Sequence, residues 1–167
     1  MDQTGTDWQA WYDRHAPALL FYARQITGTL AQAEDAMHDG FVRYWKRREQ
    51  VDDPLAYLYR SVRSAALDQR RGDTRRHQRV LRMADAERPD VAQPWHEVAR
   101  DEAEQQLREA VAHLDGPQRE VLVMKIWGGL TFDQIAEAAE LPRSTAAARY
   151  RAAMNVLRES LQTKELL

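Results

Sequence analysis

Eight arginines fall between positions 60 and 82 (Arg60, Arg63, Arg70, Arg71, Arg75, Arg76, Arg79 and Arg82), opposed only by Asp68 and Asp73. Guanidinium groups at that density neutralise phosphates, and each can grip one through two donors at once. Just upstream, Lys46, Arg47 and Arg48 follow Tyr44 and Trp45, and Tyr57 comes shortly after. Basic groups beside aromatic rings suit opened DNA, where bases stack on the rings while phosphates are neutralised. The plainer alternative is a solvated charged face with aromatic core residues behind it, and for Tyr44 and Trp45 individually that alternative is preferred. A second set stands near the C-terminus: Thr131, then Arg143, Ser144, Thr145, Ala147, Arg149 and Arg151. Arginine reads guanine or holds phosphate, hydroxyls suit phosphate, and an alanine methyl suits thymine.

Bond-making chemistry finds no support. With no cysteine in the chain, disulfides, thiol nucleophiles and zinc–thiolate sites all drop out. There is no glycine-rich phosphate loop, no nucleophile elbow and no carboxylate in an apolar context that would tune its pKa. Asp35, His38 and Asp39 share one helix face, but a metal there lacks a further ligand, and His15, His38, His77, His96 and His113 have no ligand spacing. An acidic docking face is the better reading of that set. The expectation is a binding protein, not an enzyme, with no metal and no cofactor.

The elements that must position these residues read as helices throughout. Gly 7 and Pro 6 are few for an all-β chain of 167 residues. Ala16, Leu19, Leu20 and Ala23 make one amphipathic stripe, and Thr29 to Gln32 spells a capping box for a second helix with Met37, Phe41, Tyr44 and Trp45 as its apolar face. Asp53-Pro54 opens a third, with Leu55, Leu58, Tyr59, Val62, Ala65 and Ala66 inward and Arg60, Arg63 and Ser64 exposed together. Residues 73–83 either continue that helix or lie loose on a phosphate backbone. Residues 84–98, with Pro89 and Pro94 among acids, read as a linker in which Trp95 is expected to pack on something. Beyond it, Leu107, Ala110, Val111 and Leu114 form a stripe ended at Gly116-Pro117, and Val121 to Trp127 fills the next helix. Thr131 to Gln134 is a second capping box, followed by a short helix carrying Phe132, Ile135, Ala136 and Ala139, a turn at 140–142, and a longer helix from Arg143 to about Leu161. Short capped helix, tight turn and long helix make the layout of a helix-turn-helix, whose second helix enters the major groove; an ordinary helical hairpin is the alternative.

Charge is divided along the chain although the net is only −2. The basic block at 60–82 is followed by an acidic one, Asp85, Glu87, Asp90, Glu97, Asp101, Glu102 and Glu104 against Arg88 and Arg100. Blocks of opposite sign suggest separate surfaces with separate partners. With hydrophobics at 44% and charged residues at 30%, neither a disordered tail nor a membrane protein is expected. No apolar run approaches a spanning helix and the N-terminus has no signal-like stretch, so a cytoplasmic location is expected.

Four stretches in order resemble a bacterial RNA polymerase sigma factor of the extracytoplasmic-function (ECF) type of the sigma-70 family. YDRHAPALLFYAR at 12–24 resembles the opening helix of sigma region 2, AEDAMHDGFVRYW at 33–45 its next helix, and PLAYLYRSVRSAALDQRR at 54–71 its promoter-binding helix. LDGPQREVL at 114–122, LTFDQIAE at 130–137 and STAAAR at 144–149 resemble region 4. The resemblance implies an all-α protein of two small helical domains joined by a flexible linker: region 2 over 8–82, an acidic linker over 83–99 and region 4 over 100–163. It further implies that Asp35, His38, Asp39 and Arg43 dock on the clamp of the polymerase largest subunit. The loop from Lys46 to Asp53 would take a base flipped from the −10 element, and the helix with Tyr57, Arg60, Arg63, Ser64, Arg70 and Arg71 would hold the adjacent backbone. Region 4 would set Arg143 to Arg151 into the −35 major groove while its flank meets the flap of the second-largest subunit. An anti-sigma protein is a further implied partner. The chain departs from the family pattern at His38-Asp39 for Gln-Glu, at Ser64 for Asn, at Glu140 for a turn glycine and at Ala147 for a common lysine. The rival readings are a stand-alone helix-turn-helix regulator that binds duplex DNA without polymerase, a helical adaptor that binds only protein and, last, a small enzyme.

Overall fold

The computed structural model of the protein describes residues 3–81 and 102–165, and every regular element among them is helical. The acidic linker expected over 83–99, with Trp95, lies outside the described residues.

Helix α1 (Gln3–Ile26) buries Leu19 and Ala23 of the expected stripe and leaves Ala16 and Leu20 half-buried, while Tyr22, outside that stripe, is buried as well. Thr29 caps α2 (Leu30–Arg47) through the reciprocal box with Gln32, which satisfies two of the backbone donors that a helix start leaves open. The buried face of α2 is made of Ala33, Ala36, Gly40 and Phe41. A Cβ placed on Gly40 would fall inside the Val62 side chain, so α2 and the third helix touch almost backbone to backbone. That close approach corrects the expected apolar face. Phe41 is buried, Met37 and Tyr44 are half-buried, and Trp45 is 44% exposed. The large rings do not fit at the crossing and stack at its edge instead, Trp8 lying 4.8 Å from Trp45, 5.4 Å from Trp11 and 5.8 Å from Tyr44.

A short 3-10 turn (Arg48–Gln50) leads to α3 (Pro54–Leu81). Asp53 starts α3 by accepting from the Ala56 N–H at 3.0 Å, and Pro54 takes a first-turn position where its missing N–H costs nothing. The helix runs straight through Gly72 to Leu81, which decides the fate of the basic segment: it continues the helix. The Gln32 side-chain amide donates to Asp73 and ties this extension to the start of α2.

The second half is built from α4 (Glu102–Ala112), α5 (Gly116–Ile126), α6 (Phe132–Ala139) and α7 (Arg143–Glu165). Asp115 caps α5 by accepting from the Gln118 N–H at 2.8 Å. Helices α4, α5 and α6 pack on α7, burying Val111, Leu122, Met124, Ile135, Ala146, Ala153 and Leu157. The two halves then meet along a seam, α6 on α3 and α5 on α1, and their buried residues form one continuous cluster. Phe21 and Trp127 face each other there at 4.9 Å. Gly128 lies so close to the Tyr59 hydroxyl and Leu130 that no side chain could be added to it.

Candidate nucleic-acid interface

Helices α6 and α7 form the helix-turn-helix. Thr131 and Gln134 close a capping box at the start of α6. Its end is a left-handed residue, Glu140 at φ 55° and ψ 50°, a conformation that glycine takes at no steric cost and other residues take with strain. The Glu140 and Leu141 N–H groups both donate to Ala136 O, so the turn satisfies its own backbone. Ala146, Ala153 and Leu157 seat α7 inward. The helical period then turns Ser144, Ala147, Ala148, Arg151 and Asn155 outward together; Ser144, Ala148, Arg151 and Asn155 are exposed and Ala147 half-buried. Arg143 is exposed and pairs with Asp133 at 3.0 Å, while Thr145 and Arg149 flank the outward face half-buried. Thr131 is exposed at the start of α6. Sequence reading passed over Ala148 and Asn155. Asn155 is a residue type able to bond adenine through two contacts, but it lies beyond the start of α7, where residue types alone marked the candidates, and only the seating of the helix brings it to the outward face.

The first half carries two separate basic surfaces. Lys46, Arg47, Arg48, Glu49 and Gln50 are exposed around a shallow polar depression. Arg48 lies over the Trp45 ring at 4.1 Å. Tyr57 is half-buried, its ring 6.4 Å from Tyr44. Arg70 and Arg71 are exposed further along α3, Arg71 lying 3.6 Å from Asp68.

Arg60 and Arg63 belong instead to the seam. Arg63 Nε donates to Glu120 Oε1 at 2.5 Å, and the same oxygen accepts from the Tyr22 hydroxyl at 2.8 Å. Arg60 reaches Glu140 at 2.7 Å. Beside them the Gln134 amide donates to both carboxylate oxygens of Asp53 at 3.2 and 3.0 Å. Burial drives the Tyr22 hydroxyl well above its usual pKa, with Glu120 adding to the shift. For Arg63, burial opposes the charge, but the hydrogen bond and charge of Glu120 outweigh it and raise the pKa. The expectation that Arg60, Arg63 and Ser64 stand exposed together is therefore corrected. Arg60 and Ser64 are exposed, whereas the Arg63 side chain keeps 25% of its surface and is tied to the other half of the chain. Helical period gives a side chain's direction, not what another part of the chain lays over it.

Asp35, His38, Asp39 and Arg43 are all exposed on α2. Among the described residues no group of three or more His, Cys, Asp or Glu side chains is placed to hold a metal ion, and no helix is long and apolar enough to cross a membrane.

A chain whose described elements are all helices, with a helix-turn-helix in its second half and arginines along helices of both halves, has the build of a helical DNA-binding transcription protein. Residues 11–76 match the family Sigma-70 region 2, and residues 104–157 match Sigma-70, region 4. The ECF RNA polymerase sigma factor SigL of Mycobacterium tuberculosis is 30% identical over 159 residues, covering 92% of this chain and 88% of that protein. The ECF RNA polymerase sigma factor RpoE of Cereibacter sphaeroides is 24% identical over 154 residues, covering 90% and 83%. Among solved structures, the sigma factor RpoE in complex with the anti-sigma factor NepR from Bartonella quintana has the same fold, with a TM-score of 0.71, 21% identity, and coverage of 93% of this chain and 97% of that one. The chain belongs to the ECF sigma factors of the sigma-70 family. It is an RNA polymerase-binding factor for promoter-specific transcription initiation, with core polymerase and promoter DNA as partners. A stand-alone helix-turn-helix regulator would account for the second match and leave the first unexplained.

Proposed function

We propose that the two halves divide the promoter between them. The region 2 unit, residues 8–82, holds the polymerase clamp through Asp35, His38, Asp39 and Arg43. It takes the opened −10 element with Lys46, Arg47, Arg48, Tyr57, Arg60, Arg63, Ser64, Arg70 and Arg71. The region 4 unit, residues 100–163, reads the −35 duplex with Thr131, Arg143, Ser144, Thr145, Ala147, Arg149 and Arg151 and offers its flank to the flap of the second-largest subunit. Residues 83–99 form the acidic connection. The protein works in the cytoplasm, catalyses no reaction of its own and is held in check by an anti-sigma protein, as the Bartonella relative is bound by NepR.

The observation that carries this reading is the capped helix-turn-helix, whose second helix seats itself by Ala146, Ala153 and Leu157 and so presents Ser144, Ala147 and Arg151 outward. Binding energy to flipped and stacked bases in the first half offsets an unpairing cost of a few kcal/mol. The test is reconstitution with bacterial core polymerase, size exclusion, and transcription from a genomic fragment library. Co-elution with new, discrete start sites is expected. Arg149→Ala should weaken initiation at −35-dependent starts. Replacement of Lys46, Arg47 and Arg48 by alanine should block opening while co-elution persists. Specific duplex binding by the chain alone, without co-elution, would move the protein to the stand-alone regulators.

A further inference from the structure

Helix α3 continues well beyond the part of it that packs. Ala66 is its last buried position among the described residues, and residues 74–79 are all exposed. A helix stretch with no apolar face draws no stability from packing. This one also sets like charges a turn apart, with Arg71, Arg75 and Arg79 at four-residue steps, which disfavours the helix further. The nearest acids are already engaged, Asp68 lying 3.6 Å from Arg71 and Asp73 accepting from the Gln32 side chain. Arg75, Arg76 and Arg79 have no ion pair among the described residues. A row of guanidinium groups left in this state is relieved by a polyanion.

A second feature of the same face points to what that polyanion is. At 3.6 residues per turn, Arg71, Arg75 and Arg79 rise about 6 Å apart along the axis, and Arg76 stands about 100° round from Arg75. Gly72 lies among them, three and four residues before Arg75 and Arg76 and so next to both. Glycine inside a helix is destabilising relative to alanine. At Gly40 the close approach of Val62 explains it, but a Cβ on Gly72 would meet no atom within 4 Å. The helix thus shows a bare strip of backbone walled by arginines, room for a phosphate chain to lie against it. From Arg60 to Arg79 there is also no Phe, Tyr or Trp. Opened strands are held by rings together with charge. Charge without rings suits closed duplex, whose bases stay stacked and whose phosphates face outward.

We propose that Arg75, Arg76 and Arg79, with Gly72 as the point of closest approach, form a further DNA site that grips the phosphates of the closed duplex between the two promoter elements. This rests on the assignment of α3 to the −10 element and α7 to the −35 element. The chain leaves α3 at its C-terminal end for the half that reads −35, so the extension points along the DNA that joins the two elements. Arg60 and Ser64 fall within about 60° of Arg75 around the helix, so the strand-holding row and the duplex-holding row are continuous, with Arg71 at the junction. Helix α3 then spans the fork, with aromatic rings at its start and charge alone at its end. Contacts of the second kind add affinity and register but no sequence information.

The test uses the full chain assembled with core polymerase, on a promoter duplex taken from the start sites that the fragment library yields. Arg75→Gln and Arg79→Gln, made singly, should each lower the slope of log affinity against log salt by about 0.9, and together they should weaken binding about tenfold near 0.1 M salt. Arg14→Gln, an exposed position on α1, makes the same single change in charge and should do neither. Gly72→Leu changes no charge and favours the helix, so helicity by circular dichroism should hold or rise while promoter binding weakens. Neutral methylphosphonates in place of the phosphates just upstream of −10 should weaken the parent and erase its advantage over the double arginine variant. The same replacement beyond −35 should leave that advantage intact. The proposal is overturned if the arginine variants bind like Arg14→Gln, or if their deficit survives neutralised phosphates upstream of −10. Parent-like affinity in Gly72→Leu overturns it too, since nothing then lies against the helix. So does loss of co-elution with core polymerase in the arginine variants, because the basic face would then serve an acidic surface of the enzyme. Initiation by the parent is scored alongside; its failure would remove the assignments of α3 and α7, whereas a parent that initiates beside variants that bind equally well removes this site alone.

Discussion

Helices α3 and α7 both carry arginines that we propose meet DNA, and the structure holds them in opposite states. On α3, Arg60 and Arg63 are engaged by carboxylates of the other half. On α7, Arg151 is exposed with no ion pair among the described residues, and Arg143 pairs only with nearby Asp133. The difference follows from what each helix packs on. Helix α7 buries small residues inside its own half, so its polar face looks out. Helix α3 lies between α2 and α6, with α1 also against it, and its polar side becomes part of a seam.

The sharpest way to break the comparison is to remove one guanidinium from each helix. Arg63→Gln leaves the Glu120 carboxylate, which keeps 14% of its side-chain surface, and the fully buried Tyr22 hydroxyl without the cation. Full burial would cost about 3–5 kcal/mol, and the remaining exposure brings the expectation to about 2 kcal/mol. Arg151→Gln should change stability by less than about 0.5 kcal/mol. Urea unfolding of the two variants measures both, and equal midpoints would mean that the Arg63 pair contributes nothing.

Gly40→Ala tests whether the halves share one core. The added methyl presses on Val62 at the α2–α3 crossing. Overpacking costs about 1–3 kcal/mol, and the better helix propensity of alanine returns about 1 kcal/mol, leaving a loss of about 0–2 kcal/mol. Hydrogen exchange should accelerate in α7 as well as in α3, since the buried cluster is continuous. Acceleration confined to α1, α2 and α3 would make the seam a contact between independent domains.

The local signals were legible and the non-local ones were not. Both capping boxes, the Asp53-Pro54 start and the helix-turn-helix depend on residues three or four apart, so residue type and spacing suffice to predict them. The α2–α3 crossing was hidden because alanine and glycine carry little hydrophobic amplitude, and the eye goes to Tyr44 and Trp45 instead. The Arg63–Glu120 pair joins residues 57 apart in the chain, and no periodicity connects them. Glu140 is the intermediate case. Its oddness at a turn could be seen, but its partner Arg60, 80 residues away, could not.

Glu140→Gly gives the smallest and most discriminating effect. Holding a side chain in the left-handed region costs about 1 kcal/mol, which glycine recovers. Against that stand the extra freedom of glycine in the unfolded chain, about 0.5–1 kcal/mol, and loss of the Arg60 pair. With side chains 52% and 59% exposed, that pair is screened by water and salt and is worth at most about 0.5 kcal/mol. The three contributions nearly cancel, so the urea midpoint should hardly move. Closure should nevertheless weaken, because the turn's strain is internal to region 4 while the ion pair acts only across the seam. Salt separates the two arginines further: in the parent, raising ionic strength loosens the exposed Arg60 contact before the less exposed Arg63 one, and in Glu140→Gly the first of these steps should vanish. If closure and its salt dependence are both unchanged, Arg60 is as available as Arg151, and the contrast between α3 and α7 narrows to the single guanidinium of Arg63.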